Sequence, residues 1–218
     1  MSEQSSLIRV FCSMNYRLAN YYLFIAVTSL LMTTNSYAQT PLAIGSSLPL
    51  RSVGMEDVSG RSFSLNDISD RNGLLVIFAS NTCPWIQRME SRINELSEFT
   101  DENDIGMVAL NPNEGYRERG DNLEEMVKHA DKSDYQFPYL LDESHQIADA
   151  FGASRTPEVF LFNGDMELVY SGAIDDNANN ANGVQRSYTR QAIEAILSDT
   201  ETQPTRSRPV GCSIKRGS

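Results

Sequence analysis

The feature that most constrains the fold is an uninterrupted apolar run at residues 73–79, GLLVIFA. A run of this length matches a strand that is covered on both faces, as central strands of α/β sheets are. After the polar residues 80–82, apolar side chains recur at three- and four-residue steps from Ile86 to Phe99, which predicts a helix with one buried face. The chain therefore contains a buried strand that leads directly into an amphipathic helix.

The remaining patterns extend this strand–helix unit. Alternation of strand and helix patterns indicates parallel crossovers, and a late pair of apolar segments around an Asn-Gly-Asp turn indicates an antiparallel edge. We therefore predict an α/β fold with a mixed central sheet, helices on both faces and an N-terminal β-hairpin. The predicted elements are hairpin strands at 50–58 and 61–65, a helical turn at 66–70, strands at 73–79, 105–110, 137–141, 158–162 and 168–170, and helices at 86–99, 122–132, 144–151 (stopped by Gly152) and 188–197.

Composition excludes some classes of function. The chain has 218 residues and a net charge of −11, and no cluster of Lys and Arg precedes the short basic tail after residue 205. Nucleic-acid-binding proteins usually carry a basic patch, so we expect no nucleic-acid partner. The two histidines, His129 and His145, stand among polar residues typical of a solvated helix face. A metal site would also need a second cysteine near Cys83, where Ile86 and Gln87 stand instead, so we expect no metal, and we expect no other cofactor.

The first 38 residues have the order of a secretory signal peptide. Arg9 and Arg17 precede an apolar run at 21–32, and the small-x-small triplet at 36–38 follows. The apolar run is shorter than the roughly 20 residues that span a bilayer. We expect cleavage after Ala38, a periplasmic or secreted protein and no stable membrane span; an uncleaved anchor and a start at Met14 are the alternatives. The predicted organisation is a signal peptide at 1–38, a lead-in at 39–48, a domain at 49–198 and an irregular tail at 199–218.

Removing the signal peptide removes Cys12 and leaves Cys83 and Cys212. Pro84 suits the first position of a helix, which places Cys83 at or beside the N-cap. The unpaired amides of a helix N-terminus carry partial positive charge and favour a thiolate, so Cys83 is a candidate nucleophile. An inert, buried core thiol is the alternative interpretation of Cys83.

Several motifs together resemble one branch of the thioredoxin-fold proteins, the redoxin (alkyl hydroperoxide reductase/thiol-specific antioxidant-like) family, over residues 43–216. The resemblance lies in VIFASNTCPWI, NPNEGYRERGDNLEEM, FPYLLDESHQIADAFGASRTPEVFLF and RPVGCSIK. It implies a thioredoxin-like fold and a thiol-dependent oxidoreductase that reduces a peroxide or exchanges with a protein disulfide, with a thiol compound as reductant. It also implies that Cys83 is the attacking thiolate. Thr82, Trp85 and the Thr156-Pro157 pair would shape the substrate groove.

The chain departs from the related families at specific positions. Ile86 stands where thioredoxins carry their second cysteine, and Ser80 and Val76 stand where typical peroxiredoxins carry threonine and proline. The resemblance implies that the distant Cys212 could fold back and act as the resolving thiol for Cys83.

Three arrangements of the two thiols are open: a redox pair, a structural disulfide and separate free thiols. As a structural disulfide, a closed loop of about 130 residues would stabilise the fold by roughly 5 kcal/mol in the chain-entropy model. The alternative function is then a non-catalytic thioredoxin-fold binding module in which the disulfide fixes the tail.

Overall fold

The computed structural model describes residues 40–217, within the compact unit Gln39–Ser218. The expectations about the signal peptide, its cleavage site and a membrane anchor fall on residues 1–38 and lie outside the described residues. Between residues 40 and 217, none of the helices has the length and apolar content needed to cross a bilayer.

The observed elements follow the predicted order closely. Two short 3₁₀ helices, at Glu114–Arg119 and Ala181–Gly183, lie between the other elements. In chain order the regular elements are β1 (Met55–Glu56), β2 (Ser62–Phe63), α1 (Leu65–Ile68), β3 (Gly73–Phe78), α2 (Pro84–Asp101), β4 (Ile105–Asn111), α3 (Leu123–Lys132), β5 (Tyr139–Leu141), α4 (Gln146–Phe151), β6 (Arg155–Thr156), β7 (Glu158–Asn163), β8 (Leu168–Gly172), α5 (Tyr188–Leu197) and β9 (Cys212–Ser213).

The central sheet is mixed, as predicted. β3 pairs antiparallel with β7 along its whole length, and β7 pairs antiparallel with β8 with an irregularity at Leu161 and Phe162. β4 pairs parallel with β5, and the amide of Ala79, directly after β3, donates to the Leu110 carbonyl of β4 at 2.8 Å. β1 and β2 form the predicted N-terminal hairpin.

Alternate residues of β3 enter two separate apolar clusters, one on each face of the sheet. Leu75 and Ile77 join the cluster that contains the inward faces of α2, α3 and α5. Leu74, Val76 and Phe78 join the cluster that contains α4 and the aromatic rings of β7. The strand period of two residues thus covers both faces with helices, and each fully buried large apolar side chain contributes about 1.5–3 kcal/mol.

Two expectations are wrong. The tail is not irregular throughout, because β9 pairs with β6 and Ile214 beside it is 7% exposed within the second cluster. His129 is not solvated: its side chain is 10% exposed, and its ring packs edge-on against Tyr135. Burial lowers the pKa of His129 below its usual value.

Gly152 ends α4 in the left-handed conformation, at φ 65°, as the sequence predicted. A Cβ at this position would lie 2.3 Å from the Thr40 carbonyl oxygen. Because Gly152→Ala adds both backbone strain and a steric clash, we expect it to lower the free energy of unfolding by about 2–4 kcal/mol. Gly60 has φ 76° with open space around it, so Gly60→Ala is the matched control and should cost only about 1–2 kcal/mol. Urea unfolding measures both; equal losses would contradict the predicted clash.

Candidate active site

Cys83 is the N-cap residue of α2, with φ −85° and ψ 116°, and Pro84 occupies the first helical turn. Its carbonyl oxygen accepts the amides of Ile86 at 3.0 Å and Gln87 at 3.4 Å. The helix-start placement predicted from Pro84 is therefore confirmed. Cys83 is also 2% exposed, so it is a buried residue at an activating position.

The Cys83 thiol faces Thr156, the last residue of β6, which is fully buried and precedes Pro157 across a cis peptide bond. Cys83 Sγ donates to the Thr156 carbonyl oxygen at 3.1 Å. Among the described residues, the buried Thr156 hydroxyl has no assigned hydrogen-bond partner, which leaves it available to the sulfur. Burial would raise the pKa of Cys83, but the donors that the Thr156 side chain, the Ile86 amide and Cys212 offer to the thiolate hold the pKa below its ordinary value.

Cys212 lies beside Cys83 through strand pairing. In the antiparallel β6–β9 pair Thr156 is opposite Cys212, and both cysteines carry free thiols. Burial and hydrogen bonding to Cys83 raise the pKa of Cys212 to about 11, although Cys212 is the more exposed of the two. The structure therefore brings together one thiol whose pKa is lowered and one whose pKa is raised.

This asymmetry predicts a two-step thiolate titration. With Cys12 replaced by serine, absorbance of the folded protein should show Cys83 ionising at a lower pH than an ordinary thiol and Cys212 ionising near pH 11. Cys212→Ala removes the donor to Cys83 and should raise the first pKa, while Cys83→Ala should lower the second. The same protein in denaturant is the control, with both thiols near the ordinary value. If the folded protein also titrated in a single step, as the denatured protein should, the assignment of two different thiol pKa values would be contradicted.

The polar loop between β3 and Cys83 is held by one buried carboxylate, Asp121. Asp121 accepts hydrogen bonds from the Ser80 hydroxyl at 3.0 Å and the Thr82 hydroxyl at 2.7 Å. It also accepts the side-chain amides of Asn111 and Asn113, each at 3.0 Å. A carboxylate with this many donors is satisfied without exposure, and it fixes the loop that presents Cys83.

The same network holds the segment that follows Cys212. Asn113 Oδ1 accepts the backbone amide of Lys215 at 2.8 Å, and the Lys215 carbonyl accepts the Gly115 amide at 2.8 Å. Arg117 ties the network together by donating to the carbonyl oxygens of Asp121 and Asp142, both at 2.8 Å. The chain segments that carry the two cysteines are therefore anchored to one buried polar cluster.

The other residues predicted for the substrate groove have identifiable contacts. The Thr82 hydroxyl is engaged by Asp121. Trp85 is half-buried against the apolar cluster that contains Cys83, with the Arg88 guanidinium 5.1 Å from its ring centroid. The structure thus brings Cys83, Thr156 and Cys212 into one site and directs Thr82 into the network beneath it. The sequence did not indicate Asp121 or Arg117 as site residues. Asp121 lies in a Gly-Asp-Asn stretch before a helix, which resembles an ordinary surface turn.

Within the part of the chain that the structure describes, no three His, Cys, Asp or Glu side chains are grouped so that they could hold a metal ion. The site geometry rests on two sulfurs and their hydrogen-bond donors.

Thiol-disulfide oxidoreductases are among the known proteins that this chain resembles. Thiol-disulfide oxidoreductase ResA of Geobacillus thermodenitrificans is 25% identical over 62% of this chain and 74% of its own length. The crystal structure of a hypothetical protein from Sinorhizobium meliloti 1021 matches with a TM-score of 0.75 and 29% identity, covering 82% of this chain and 97% of that one. The thioredoxin domain of a thiol-disulfide oxidoreductase from Bacteroides vulgatus matches with a TM-score of 0.50 and 19% identity over 60% of this chain and 88% of that one, which confirms the thioredoxin-like fold.

The model of the AhpC/TSA family matches residues 44–171, more than half of the sequence. This match confirms the resemblance to the redoxin family over residues 44–171. The chain belongs to the AhpC/TSA family.

Proposed function

We propose that this protein is an exported thiol-dependent oxidoreductase that reduces a peroxide or exchanges with disulfides, with Cys83 as attacking thiolate and Cys212 as resolving thiol. The observation that carries the proposal is that both thiols meet at Thr156 and have opposite pKa shifts. Cys83 donates to the Thr156 carbonyl oxygen at 3.1 Å, and Cys212 is paired opposite Thr156 in β9. The names of the ResA relatives support thiol chemistry of this kind.

With a hydroperoxide, the Cys83 thiolate attacks the terminal oxygen and the O–O bond breaks. The alkoxide leaves and takes up a proton, and Cys83 becomes a sulfenic acid. The Cys212 thiol then condenses with the sulfenic acid, which forms the S–S bond and releases water. Two equivalents of an external thiol reduce the disulfide and are themselves oxidised to a disulfide.

Each neighbouring group has a defined task in this cycle. The Thr156 hydroxyl donates to the Cys83 thiolate and stabilises the negative charge before attack. Cys212 keeps its proton while Cys83 is a thiolate, because the neighbouring Cys83 raises the Cys212 pKa. Once Cys83 is a neutral sulfenic acid that negative charge is gone, and Cys212 can lose its proton as water leaves. Asp121 acts through the Ser80 and Thr82 hydroxyls by holding the loop that carries Cys83.

Mapping of oxidised peptides tests the proposal. The full chain with Cys12→Ser is treated with one equivalent of hydrogen peroxide, alkylated and digested without reductant. We expect a Cys83–Cys212 crosslink that forms rapidly and returns to two thiols when mild reductant is added to the folded protein. A crosslink that resists mild reductant would support the structural disulfide of a non-catalytic binding module instead, and unreacted thiols would reject the redox pair.

Export is supported by the order of positive charge, apolar run and small-x-small triplet within residues 1–38. Expression in a Gram-negative host should yield mature protein beginning at Gln39 in the periplasmic fraction. Mass spectrometry of that fraction measures the N-terminus; full-length protein in the membrane fraction would favour the uncleaved anchor.

A further inference from the structure

We propose that β9 determines substrate class at this site. It occupies the Thr156 edge on which an extended polypeptide would pair, so that Cys83 accepts small hydroperoxides and excludes protein disulfides. The inference rests on the proposed function of Cys83 as the attacking thiolate. Of the two substrate classes in the proposed function, peroxides and disulfides, it selects peroxides.

The first observation is the pairing itself. Arg155 and Thr156 of β6 are opposite Ser213 and Cys212 of β9 in an antiparallel register. An extended peptide binds a sheet edge by forming main-chain hydrogen bonds with it, and that requires an unpaired edge. Beside Cys83 this edge is already taken by the chain's own tail.

The tail is fastened on both sides of β9. Arg155 Nη1 donates to the Gly211 carbonyl oxygen at 2.9 Å before the strand, and the Ile214 amide donates to the Ser154 carbonyl at 3.1 Å after it. The Ile214 side chain is buried, and the Arg216 guanidinium donates to the Ala153 carbonyl at 2.8 Å. A competing peptide would have to displace all of these interactions at once, which opposes its binding.

Gly211 shows how closely the tail approaches the edge. A Cβ built on Gly211 would lie 2.2 Å from the Thr156 carbonyl oxygen and 3.0 Å from the Pro157 nitrogen. Both atoms belong to the backbone and have no side-chain freedom to move aside. Glycine is therefore required for β9 to sit against Thr156, and any larger residue must push the tail outwards.

The low accessibility of the Cys83 sulfur also favours hydroperoxides over protein disulfides. Cys83 is 2% exposed beneath this strand, and thiol–disulfide exchange requires the thiolate to approach the S–S bond directly. Cys212 is more exposed but remains protonated at neutral pH, so it is a poor substitute nucleophile. A hydroperoxide needs only one small oxygen atom to reach Cys83 and no main-chain pairing.

The test compares two full-length variants that keep Cys83 as the reacting thiol, both carrying Cys12→Ser and Cys212→Ser. One adds Gly211→Ala, which displaces β9, and the other adds Val210→Ala, a matched change at an exposed neighbour. The probes are hydrogen peroxide and an extended peptide carrying a mixed disulfide with thionitrobenzoate. Attack by Cys83 joins the peptide to Cys83 and releases thionitrobenzoate, which is measured by absorbance.

We expect Gly211→Ala to accelerate the peptide reaction by at least about tenfold over Val210→Ala, with the peroxide rate changed by less than about threefold. Hydrogen exchange of residues 209–216 reports release of the tail and integrity of the rest of the fold. Rapid peptide reaction in the Val210→Ala variant overturns the proposal and does so even if Gly211→Ala fails to fold. Equal peptide rates in the two folded variants also overturn it, while the proposed function stands as long as peroxide oxidises Cys83. Loss of both reactions overturns the proposed function and this inference together.

Discussion

Replacing Cys83 with serine should reduce peroxide turnover by at least about a thousandfold, to the rate of the uncatalysed reaction with the external thiol. A serine hydroxyl is not ionised at neutral pH, and the hydrogen bonds that stabilise the Cys83 thiolate cannot generate an alkoxide. Steady-state peroxide consumption with a small-molecule thiol as reductant measures the loss.

Cys212→Ser is the informative comparison for that variant. It retains the attacking thiolate, so it should consume about one equivalent of peroxide in a first phase and then turn over slowly, since the sulfenic acid has no internal partner. Ser213→Ala, an exposed change in the same strand, should leave both phases intact. Full steady-state activity in Cys83→Ser would assign the chemistry to another residue.

Replacing Asp121 with alanine should lower the free energy of unfolding by about 3–5 kcal/mol. The substitution removes a fully buried carboxylate and leaves its four donor side chains without their acceptor. Urea unfolding measures the loss. Asp165 is exposed in the β7–β8 turn, so Asp165→Ala is the control and should change stability by less than about 0.5 kcal/mol.

The same substitution should also slow formation of the Cys83–Cys212 disulfide. Asp121 holds Thr82 before one cysteine, and through Asn113 it holds Lys215 after the other. If Asp121 had only a structural role, its loss would lower stability and leave the rate of disulfide formation unchanged. Asp121→Asn helps to separate these two effects. It keeps the shape and one acceptor oxygen, and we expect it to restore much of the disulfide-formation rate. Equal stability of Asp121→Ala and Asp165→Ala would contradict the central role of this carboxylate.

The helices and strands around the site were predictable because their signals are local. The uninterrupted apolar run of β3 indicates a strand that is buried on both faces, and the spacing of apolar residues in α2 indicates a helix with one buried face. Pro84 placed Cys83 at the helix start, and Gly152 marked the end of α4. Each of these follows from the preferences of one residue or from a repeat within a few turns, and no distant contact is needed to interpret it.

Long-range contacts decided the rest, and they explain both errors. His129 stands next to Lys128 in the sequence, yet Tyr135 and Tyr139 of other segments cover its ring. β9 is two residues long, too short for any alternation, and its register exists only through pairing with β6. Asp121 resembles a turn residue locally, and its role follows from donors distributed over the loops after β3 and β4.

By itself, the sequence determined that Cys83 begins a helix shortly after a buried strand. Both signals, the apolar run of the strand and Pro84 at the first helical position, come from residues close to Cys83 in the chain. Only the tertiary structure decided which thiol ionises and what lies opposite it. A pKa depends on burial and on donors within a few ångströms, and those donors come from Thr156 and Cys212, far along the chain. The helix start made Cys83 a candidate, and folding of the tail onto Thr156 gave it a partner and limited access to it.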